Sequence, residues 1–443
     1  MKNAAKAPTE LVVLLGDDVV GRLSSGAGGK LAFTYDDAWR RDPNAYPLSV
    51  SMPLAARDHG GVAVAAYLWG LLPDNEVILE AWAKRFQVSA RSPFALLANV
   101  GEDCPGAVRF VAPGRRDEVA REGDGAIDWL DERGIAERLR ALHADPSAWR
   151  AATDSGQFSL GGAQPKTALF FDGARWGIPS GRVPTTHILK PGAPHLRGHA
   201  ENEHFCLVLA GDLGLPVASS RIRHFEDQVA IVLERYDRLR RPEGVLRVHQ
   251  EDCCQALGVT PVDKYESTGG PGARDVVNLL RARSRDAVAD VETFIGALAF
   301  NWIIAGTDAH AKNYSVLIGR GGAIRLAPLY DVASFLPYAE HGTRKLKLAM
   351  KIGGKYRLHE IGAHQWTKLA RELGRDPAEL TASLGAMCRA LPDLASDVAT
   401  RTQAEGLSHP VIASLAHQIQ TRARACAALL ESDGVSHGRE RLD

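Results

Sequence analysis

The sequence is short of cysteine pairs and of net charge, and each shortage excludes a class of protein. Its six cysteines form no CxxC pair and only Cys253 and Cys254 are adjacent, so reduced thiols in a cytoplasmic protein are the simplest account. Lysine plus arginine and aspartate plus glutamate number 53 each. A neutral chain is not expected to coat nucleic acid non-specifically, although a local basic patch remains compatible with this balance.

Long apolar runs are also missing at first inspection. Residues 1–9 carry two lysines and no apolar core, so we predict no signal peptide, and no run is expected to reach the length of a membrane span. The hydrophobic content of 45% and charged content of 24% are typical of a soluble globular protein. A length of 443 residues indicates two or three subdomains.

Turn signals predict a small α+β module at the N-terminus. Two apolar strands, 10–15 and 19–23, flank a Gly-Asp-Asp turn and predict a β-hairpin. Alternation predicts a further strand at 48–52. The polar, glycine-bearing stretch 113–125 is typical of a linker, and 127–143 has the pattern of an amphipathic helix. Later, Trp366 to Leu430 is predicted to be helical with interruptions at three prolines, Pro377, Pro392 and Pro410.

A Gly-rich loop opens the central part of the chain. The sequence SLGGAQPKT begins at Ser159, and glycine lets backbone N–H groups approach a phosphate closely. The GxxxxGK[ST] spacing is absent, and the loop alone is equally typical of a hairpin turn. A later strand carries Lys190, the following helix carries Glu203 in its predicted first turn, and a buried strand ends in Glu234–Asp237.

Three oxygen-bearing side chains lie at the two ends of a predicted hairpin. Asp308 and Asn313 are five positions apart before it, and Asp331 follows it. Phosphoryl transfer in protein kinases uses an aspartate near the attacking hydroxyl, an asparagine five positions later and a second metal-binding aspartate. Because the Gly-rich loop, the Lys190 strand and a helix carboxylate precede them in kinase order, the sequence predicts a kinase. Separately, each residue could be a helix cap or an Asx-turn.

Two other charged groups have simpler interpretations. His195, His199 and His204 lie near Glu203, but they lack HExxH spacing, so we interpret them as loop histidines and not as a zinc site. The basic run from Arg344 to Arg357 is most simply a solvated face; contact with an acidic protein or with DNA is the alternative.

With these motifs in place, the sequence resembles the HipA family of bacterial toxin kinases, partners of HipB-type antitoxins, over about residues 10–430. The stretches that carry the resemblance include SLGGAQPKTAL, THILKP, ENEHFCLVLA, VLERYDR, HQEDCCQALG, KYESTGGPG, TDAHAKNYSV and LAPLYDVAS. Departures from the family pattern are small, and none removes a catalytic group.

The resemblance implies a role for each matching residue. Asp308 is the catalytic aspartate, Lys190 contacts the ATP phosphates, and Asn313 and Asp331 hold Mg²⁺. Ser159 is the site of autophosphorylation, and we expect it to be accessible in an open form of the loop. The residues implied to bind ATP are Gly161, Gly162, Ala163, Gln164, Pro165, Lys166, Lys190, Glu234, Arg235, Tyr236, Asp237, Gln250, His310, Lys312, Asn313, Tyr330 and Asp331.

The resemblance also implies the architecture. We expect an α+β, bilobal protein-kinase-like (lipid-kinase-like) fold with a small N-terminal α+β subdomain, a largely helical C-lobe and ATP between the lobes. The predicted divisions are an N-terminal subdomain, a linker with a helix, a kinase N-lobe, a C-lobe and a mobile tail, at 1–112, 113–150, 151–240, 241–435 and 436–443.

The implied function is that of a type II toxin–antitoxin kinase. It would phosphorylate a protein hydroxyl, with an aminoacyl-tRNA synthetase as the expected target, and would arrest translation and growth. The expected partner is a HipB-like DNA-binding antitoxin, with DNA bound only through that complex and no membrane involved. Two alternatives stay open: a small-molecule or lipid kinase, and a non-catalytic co-repressor that acts with the antitoxin.

Overall fold

The computed structural model describes residues 8–115, 125–150, 154, 157–193, 196–339 and 342–436. Most of the predicted linker, the loop residue His195 and the predicted tail beyond residue 436 lie outside these ranges. The chain forms two compact units, each discontinuous in sequence. The first comprises 1–191, 223–262 and 315–324, and the second comprises the remainder. The domain boundaries drawn from the sequence stay predictions.

The first unit contains two antiparallel sheets. A five-stranded sheet has the order β4-β3-β2-β1-β5, and its strands are β1 (Glu10–Leu15), β2 (Asp18–Ser25), β3 (Leu31–Tyr35), β4 (Asp58–Gly60) and β5 (Val108–Val111). The predicted hairpin is confirmed, with Leu15 opposite Asp18. Helices α1 (Asp37–Arg41), α2 (Gly61–Gly70), α3 (Glu76–Phe86) and α4 (Pro93–Val100) belong to the same part of the chain.

The second sheet of this unit has six strands in the order β10-β11-β9-β7-β8-β6. They are β6 (Ile127–Leu130), β7 (Thr167–Phe171), β8 (Trp176–Pro179), β9 (His187–Pro191), β10 (Ser220–Phe225) and β11 (Gln228–Glu234). Helix α5 (Glu132–Ala144) follows β6, and the short strands β12 (Arg238–Arg241), β13 (Gly244–Arg247) and β14 (Gln250–Asp252) lead to helix α7 (Cys253–Ala256). One buried core of aromatic and aliphatic side chains runs under both sheets.

The second unit is mainly helical. Its helices are α6 (His199–Asp212), α8 (Ala273–Arg283), α9 (Ala287–Ile304), α10 (Ala363–Glu372), α11 (Pro377–Ala404) and α12 (Pro410–Ser436). In this unit β17 (Lys347–Ile352) pairs with β18 (Lys355–Arg357). Strands β15 (Ser315–Ile318) and β16 (Ile324–Leu326) form the predicted hairpin, of which β15 belongs to the first unit. Helix α9 lies at the centre of the helical core, where the buried Trp302 contacts Trp366 with ring centroids 5.6 Å apart.

Four expectations for local structure were wrong. Residues 48–52 form a turn closed by a Ser49–Met52 bridge, because Val50 N–H donates to Glu251 Oε1 and not to a neighbouring strand. The predicted helix at 127–143 is strand β6 followed by α5, since Asp131 caps the helix at Gly134 N–H. Pro392 does not interrupt α11; it is buried inside the helix, and packing there offsets the lost backbone hydrogen bond.

The fourth correction concerns apolar length. Helix α9 is long and apolar enough to span a membrane by length and composition, contrary to the expectation that no run is. However, 67% of this stretch is buried inside the protein, as is usual for the central helix of a helical core. The apolar character of α9 is therefore explained by packing.

Candidate active site

The loop that carries Asp308 begins where α9 ends in a sharp turn. Ala305 has φ 54°, in the left-handed region, and stops the helix. The buried Asn301 donates from Nδ2 to Ala297 carbonyl oxygen at 2.9 Å. A Cβ on Gly306 would lie 2.1 Å from Asn301 Oδ1, so only glycine fits here without displacing that side chain. The chain therefore leaves the core along a fixed path toward Asp308.

The loop from Asp308 to Asn313 is held by its own polar groups. The Asp308 carbonyl oxygen accepts from the His310 backbone N–H at 2.8 Å and from Asn313 Nδ2 at 2.8 Å. His310 is buried, with Nε2 3.8 Å from Asp308 Oδ1, whereas the Asp308 side chain is 70% exposed. Because the Asn313 amide nitrogen points back into the loop, its oxygen is directed elsewhere. A structured loop thus presents the Asp308 carboxylate to solvent.

Tyr265 is a functional candidate for which the sequence assigned no role. Its hydroxyl donates to Asp308 Oδ1 at 2.6 Å, and its ring meets the His310 ring edge-on at 4.9 Å. The phenol fixes one oxygen of an otherwise exposed carboxylate, which leaves Oδ2 for another hydroxyl. Forty-three residues separate the two groups in the chain, so only membership of the KYESTGGPG motif could have drawn attention to Tyr265.

The segment with Tyr330 and Asp331 is anchored on both sides. Leu329 forms a β-bridge with Val217, and Tyr330 Oη donates to the Lys312 carbonyl oxygen at 2.9 Å. Asp331 has φ 54°, a conformation that non-glycine residues rarely adopt and that is concentrated at functional sites. The structure therefore links two residues implied to bind ATP, Tyr330 and Lys312, and holds Asp331 in a strained backbone conformation.

Asn202 supports this segment, and the sequence did not single it out. Its Nδ2 donates to the Ser334 carbonyl oxygen at 2.7 Å, and its Oδ1 accepts from the Ser334 N–H at 2.9 Å. Ser334 in turn donates from Oγ to the Ile304 carbonyl oxygen, at the end of α9. Glu203, the carboxylate predicted to lie in the first turn of this helix, follows Asn202 and is also buried. The helix begins at His199, so the acidic residue of its first turn is Glu201, and the predicted position of Glu203 was wrong.

Asn313 and Asp331 have the chemistry of a magnesium site. An amide oxygen and a carboxylate are the hard oxygen ligands that Mg²⁺ prefers, and two protein ligands are usual when phosphate oxygens and water complete the octahedron. The turned-in Nδ2 of Asn313, which fixes the direction of its oxygen, fits that use. Both residues belong to the helical unit.

The Gly-rich loop of the first unit is tied down in this conformation. Lys166 donates from Nζ to the Gly161 carbonyl oxygen at 2.6 Å and lies 5.3 Å from the Trp149 ring centroid. The Gly162 carbonyl oxygen accepts from Asp74 N–H at 3.2 Å, and Gly162 has φ 94°. Lys166, implied to bind ATP, is therefore buried and bonded to the Gly161 carbonyl oxygen. The loop as a whole is held through the carbonyl oxygens of Gly161 and Gly162.

Ser159 is completely buried. Its Oγ donates to the Leu71 carbonyl oxygen at 2.6 Å, and its N–H donates to the Asp103 carbonyl oxygen at 3.0 Å. Both partners belong to the N-terminal module. This conformation is therefore not the open form in which Ser159 was expected to be accessible; here the serine behaves as a hydroxyl bonded to nearby backbone.

Lys190 lies in the interior of the six-stranded sheet. It pairs with Ile231 of β11 and is only 5% exposed. Beside it, the loop residue Gln164 donates from Nε2 to the Pro191 carbonyl oxygen at 3.5 Å, while Ala163 and Pro165 complete the loop. The first unit thus brings the loop and the lysine strand together.

The predicted hinge residues separate into two groups. Glu234 is exposed, and Tyr236 donates from its hydroxyl to the Gln250 side chain. Arg235 and Asp237 instead enter a buried ion-pair network, with Arg235 Nη2 2.8 Å from Asp237 Oδ2. Both side chains are thus used for packing against the N-terminal module, and the role of the two residues in ATP binding stays a prediction.

That network, which we call the arginine cluster, joins the N-terminal module to the hinge. It consists of Asp103, Arg235, Asp237, Arg238 and Arg247. Burial alone would raise the pKa of Asp103, but the guanidinium groups and a Thr185 bond bring the pKa well below its usual value. Asp103 is therefore charged at neutral pH and neutralises buried cations.

Three consecutive residues after the hinge have different surroundings. Gln250 bonds Tyr236, and Asp252 caps α7 in a capping box with Gln255. Between them, Glu251 is buried, and burial raises the pKa of its carboxyl to about 8. The Glu251 carboxyl is thus protonated over most of the neutral range.

Comparisons with known proteins agree with this architecture. The HipA N-terminal domain model matches residues 11–111, and the HipA-like C-terminal domain model matches 158–395. The chain is 37% identical to the protein Y4mE of Sinorhizobium fredii over 80% of this chain and 84% of that protein. It is 31% identical to the serine/threonine-protein kinase toxin HipA of Shewanella oneidensis over 89% of this chain and 90% of that protein.

A solved structure gives the same result. The Shewanella oneidensis HipA chain, in a complex with HipB and operator DNA, superposes with a TM-score of 0.81 at 27% identity, covering 95% of this chain and 98% of that one. The fold is thus α+β and protein-kinase-like, as predicted. The chain belongs to the HipA family of toxin kinases, which confirms the resemblance found in the sequence.

Proposed function

We propose that this protein is a serine/threonine protein kinase that transfers the γ-phosphate of ATP to a hydroxyl of another protein. The observation that carries the proposal is the Asp308–Asn313 loop, in which an exposed carboxylate is fixed by Tyr265 and the Asn313 amide nitrogen is bonded within the loop. Membership of a family that includes a protein-kinase toxin supports the same activity.

Each residue has a separate task in this proposal. Asp308 orients the acceptor hydroxyl and takes its proton through Oδ2. Asn313 and Asp331 would hold Mg²⁺, which offsets charge on the phosphates. Lys190 and the loop from Gly161 to Lys166 would bind phosphate oxygens. Tyr236 and Gln250 would contact the adenine side of ATP.

The biological setting is also a proposal. The Shewanella relative assembles with HipB and operator DNA, so we propose a HipB-like antitoxin as partner, with DNA contacted through that complex and the cytoplasm as location. The relative is named a toxin kinase, so we propose growth arrest as the outcome. The family resemblance implies an aminoacyl-tRNA synthetase, which we propose as the phosphoacceptor.

A direct assay tests the activity. Purified protein is incubated with labelled ATP, Mg²⁺ and a soluble cell extract, and products are separated into protein, lipid and small-molecule fractions. We expect label on serine or threonine of a small set of proteins, with none when EDTA is present. Label confined to lipids or small molecules would contradict a protein kinase.

Tyr265→Phe should lower kcat about tenfold and leave the KM for ATP unchanged. The change removes only the hydroxyl that fixes Asp308, and a hydrogen bond to a charged group contributes about 1.5–3 kcal/mol. Steady-state kinetics with the labelled acceptor measures both constants. Tyr46→Phe is the control, since Tyr46 lies in the first unit and its ring packs against Trp39 and His249. A rise in kcat would show that Tyr265 blocks Asp308 and does not position it.

Phosphorylation of Ser159 should trap the protein in a form that binds ATP poorly. A phosphate carries about −1.5 to −2 charges, and the phosphorylated oxygen has no hydrogen to donate to the Leu71 carbonyl oxygen, so the segment must leave its buried site. The bonds that hold Gly161 and Gly162 should then break. We expect stoichiometric phosphate at Ser159 by intact mass, faster proteolysis near the loop and weak nucleotide binding by calorimetry.

Two results would argue against this regulation. Unchanged nucleotide affinity of the phosphorylated fraction would reject the mechanism. An active kinase without phosphate at Ser159 would reject the site. Ser159→Ala serves as the control, since it removes the acceptor and should keep its activity during prolonged incubation with ATP.

A further inference from the structure

A positively charged surface lies on the helical unit, outside the residues assigned so far. It is formed by strands β17 and β18 with the turn before β17, and we call it the basic ribbon. Its six cationic side chains are all exposed: Arg344, Lys345, Lys347, Lys351, Lys355 and Arg357. From the sequence alone, a solvated face was the simplest interpretation of this run.

The structure shows that most of this charge is uncompensated. Lys351 Nζ lies 3.0 Å from Glu266 Oε1, and Lys355 Nζ lies 3.6 Å from Glu360 Oε1. The other four cations have no ion pair within the described part of the chain. Two of them, Lys347 and Arg357, are directly opposite each other across the strand pair. Like charges in that position destabilise a sheet, so the arrangement is costly unless an anion binds to it.

The basic ribbon is nevertheless held firmly. A two-stranded hairpin is marginal alone, but Leu348, Met350 and Ile352 are buried beneath it, where β17 packs beside α8 and α10. A Cβ on Gly353 would lie 2.2 Å from the Gln365 carbonyl oxygen, so the turn is in close contact with α10. The positive charges are therefore presented on a preformed surface.

Two consecutive residues connect this surface to Asp308. Glu266 accepts the Lys351 backbone N–H at 2.7 Å and pairs with the Lys351 ammonium group. The preceding residue, Tyr265, donates to Asp308. The basic ribbon is therefore linked, through Glu266 and the adjacent Tyr265, to the candidate catalytic carboxylate.

We propose that the basic ribbon is the docking surface for an acidic segment of the phosphoacceptor protein. This inference rests on the proposed kinase function, and it specifies further that the protein substrate carries an acidic segment. An acidic protein fits better than a DNA duplex, because the occupant must also present a hydroxyl to Asp308. Exposed charges of this kind increase the association rate and make binding depend on salt.

The test uses two labelled peptides and no nucleotide. Each has one serine, flanked by glutamates in one peptide and by glutamines in the other, and binding is followed by fluorescence anisotropy at low and physiological salt. The wild type should bind the glutamate peptide in a salt-dependent manner. Replacing four cations by glutamine should weaken that binding about tenfold or more and leave the glutamine peptide unaffected. The substitutions are R344Q, K345Q, K347Q and R357Q.

Matched variants separate the docking surface from general charge and from catalysis. A control with four exposed cations neutralised elsewhere should bind as the wild type does: K30Q, R41Q, R91Q and R424Q. Asp308→Asn should also bind the glutamate peptide normally, so loss of phosphate transfer and loss of docking are distinguishable. Unchanged binding by the ribbon variant would overturn the proposal. Ribbon-dependent binding of a labelled DNA duplex, with no binding of the peptide, would replace it with a nucleic-acid surface.

Discussion

Asp308→Asn should retain ATP binding and lose phosphate transfer by a factor of about 10²–10⁴, the usual contribution of a placed general base. The substitution keeps the size of the side chain and its contact with Tyr265, and the loop bonds use the Asp308 carbonyl oxygen and not the carboxylate. The expected loss is therefore chemical and not structural. Transfer to the protein fraction and calorimetric ATP titration measure the two properties on the same sample.

Asp331→Ala provides the contrasting result. It removes a proposed metal ligand, so it should weaken binding of Mg·ATP, whereas Asp308→Asn should not. The wild type with EDTA should resemble Asp331→Ala in ATP binding. Near-normal transfer by Asp308→Asn would remove the proposed base from the mechanism, and equal ATP affinities in the two variants would remove the distinction between their roles.

Asp103→Asn should destabilise the first unit by about 3–5 kcal/mol, the usual effect of breaking a buried ion pair. The carboxylate contacts Arg238 at 2.8 Å and also Arg247 and Arg235, and it accepts from Thr185. Asparagine preserves the shape but leaves three buried guanidinium groups with Asp237 as their remaining carboxylate in the cluster. Urea unfolding, with separate probes for the two units, measures the change in unfolding free energy.

The pH dependence checks the cause. Because the pKa of Asp103 is depressed, its stabilisation is present above the unfolded value of 3.8 and is lost only as pH falls through the lower folded value. The difference between wild type and Asp103→Asn should therefore stay constant from mildly acidic to alkaline pH. Asp227→Asn, at an exposed pair with Arg140, is the control and should leave the unfolding transition nearly unchanged. Equal losses in the two variants would mean that burial of the arginine cluster is unimportant.

Much of the local structure could be predicted because its signals are local. The Gly-Asp-Asp turn predicts the β1–β2 hairpin, and the structure confirms it. The fold class and the family could be predicted from the motifs and their order along the chain. Each motif places glycines or reactive side chains within a few adjacent residues, so it can be recognised without knowing the tertiary structure. The site residues taken from these motifs stay predictions.

Contacts between distant residues were decided by the tertiary structure. Tyr265 reaches Asp308, Asn202 reaches Ser334, and Asp103 gathers arginines from more than 130 positions away. The sequence pattern contains no signal for such pairs. The residues next to a tyrosine, asparagine or aspartate in the chain do not show which distant residue its side chain will contact. The same reason explains why Pro392 could continue a helix.

The sequence by itself determined the order of the chemical groups: a Gly-rich loop, a strand lysine, and Asp308, Asn313 and Asp331 at the ends of a hairpin. Only the tertiary structure decided which of these groups are exposed and which are held. It buried Ser159 beneath the N-terminal module, placed Arg235 and Asp237 in an ion-pair network and left the basic ribbon uncovered. Burial and pairing depend on what packs around a side chain, and that is fixed only when the whole chain has folded.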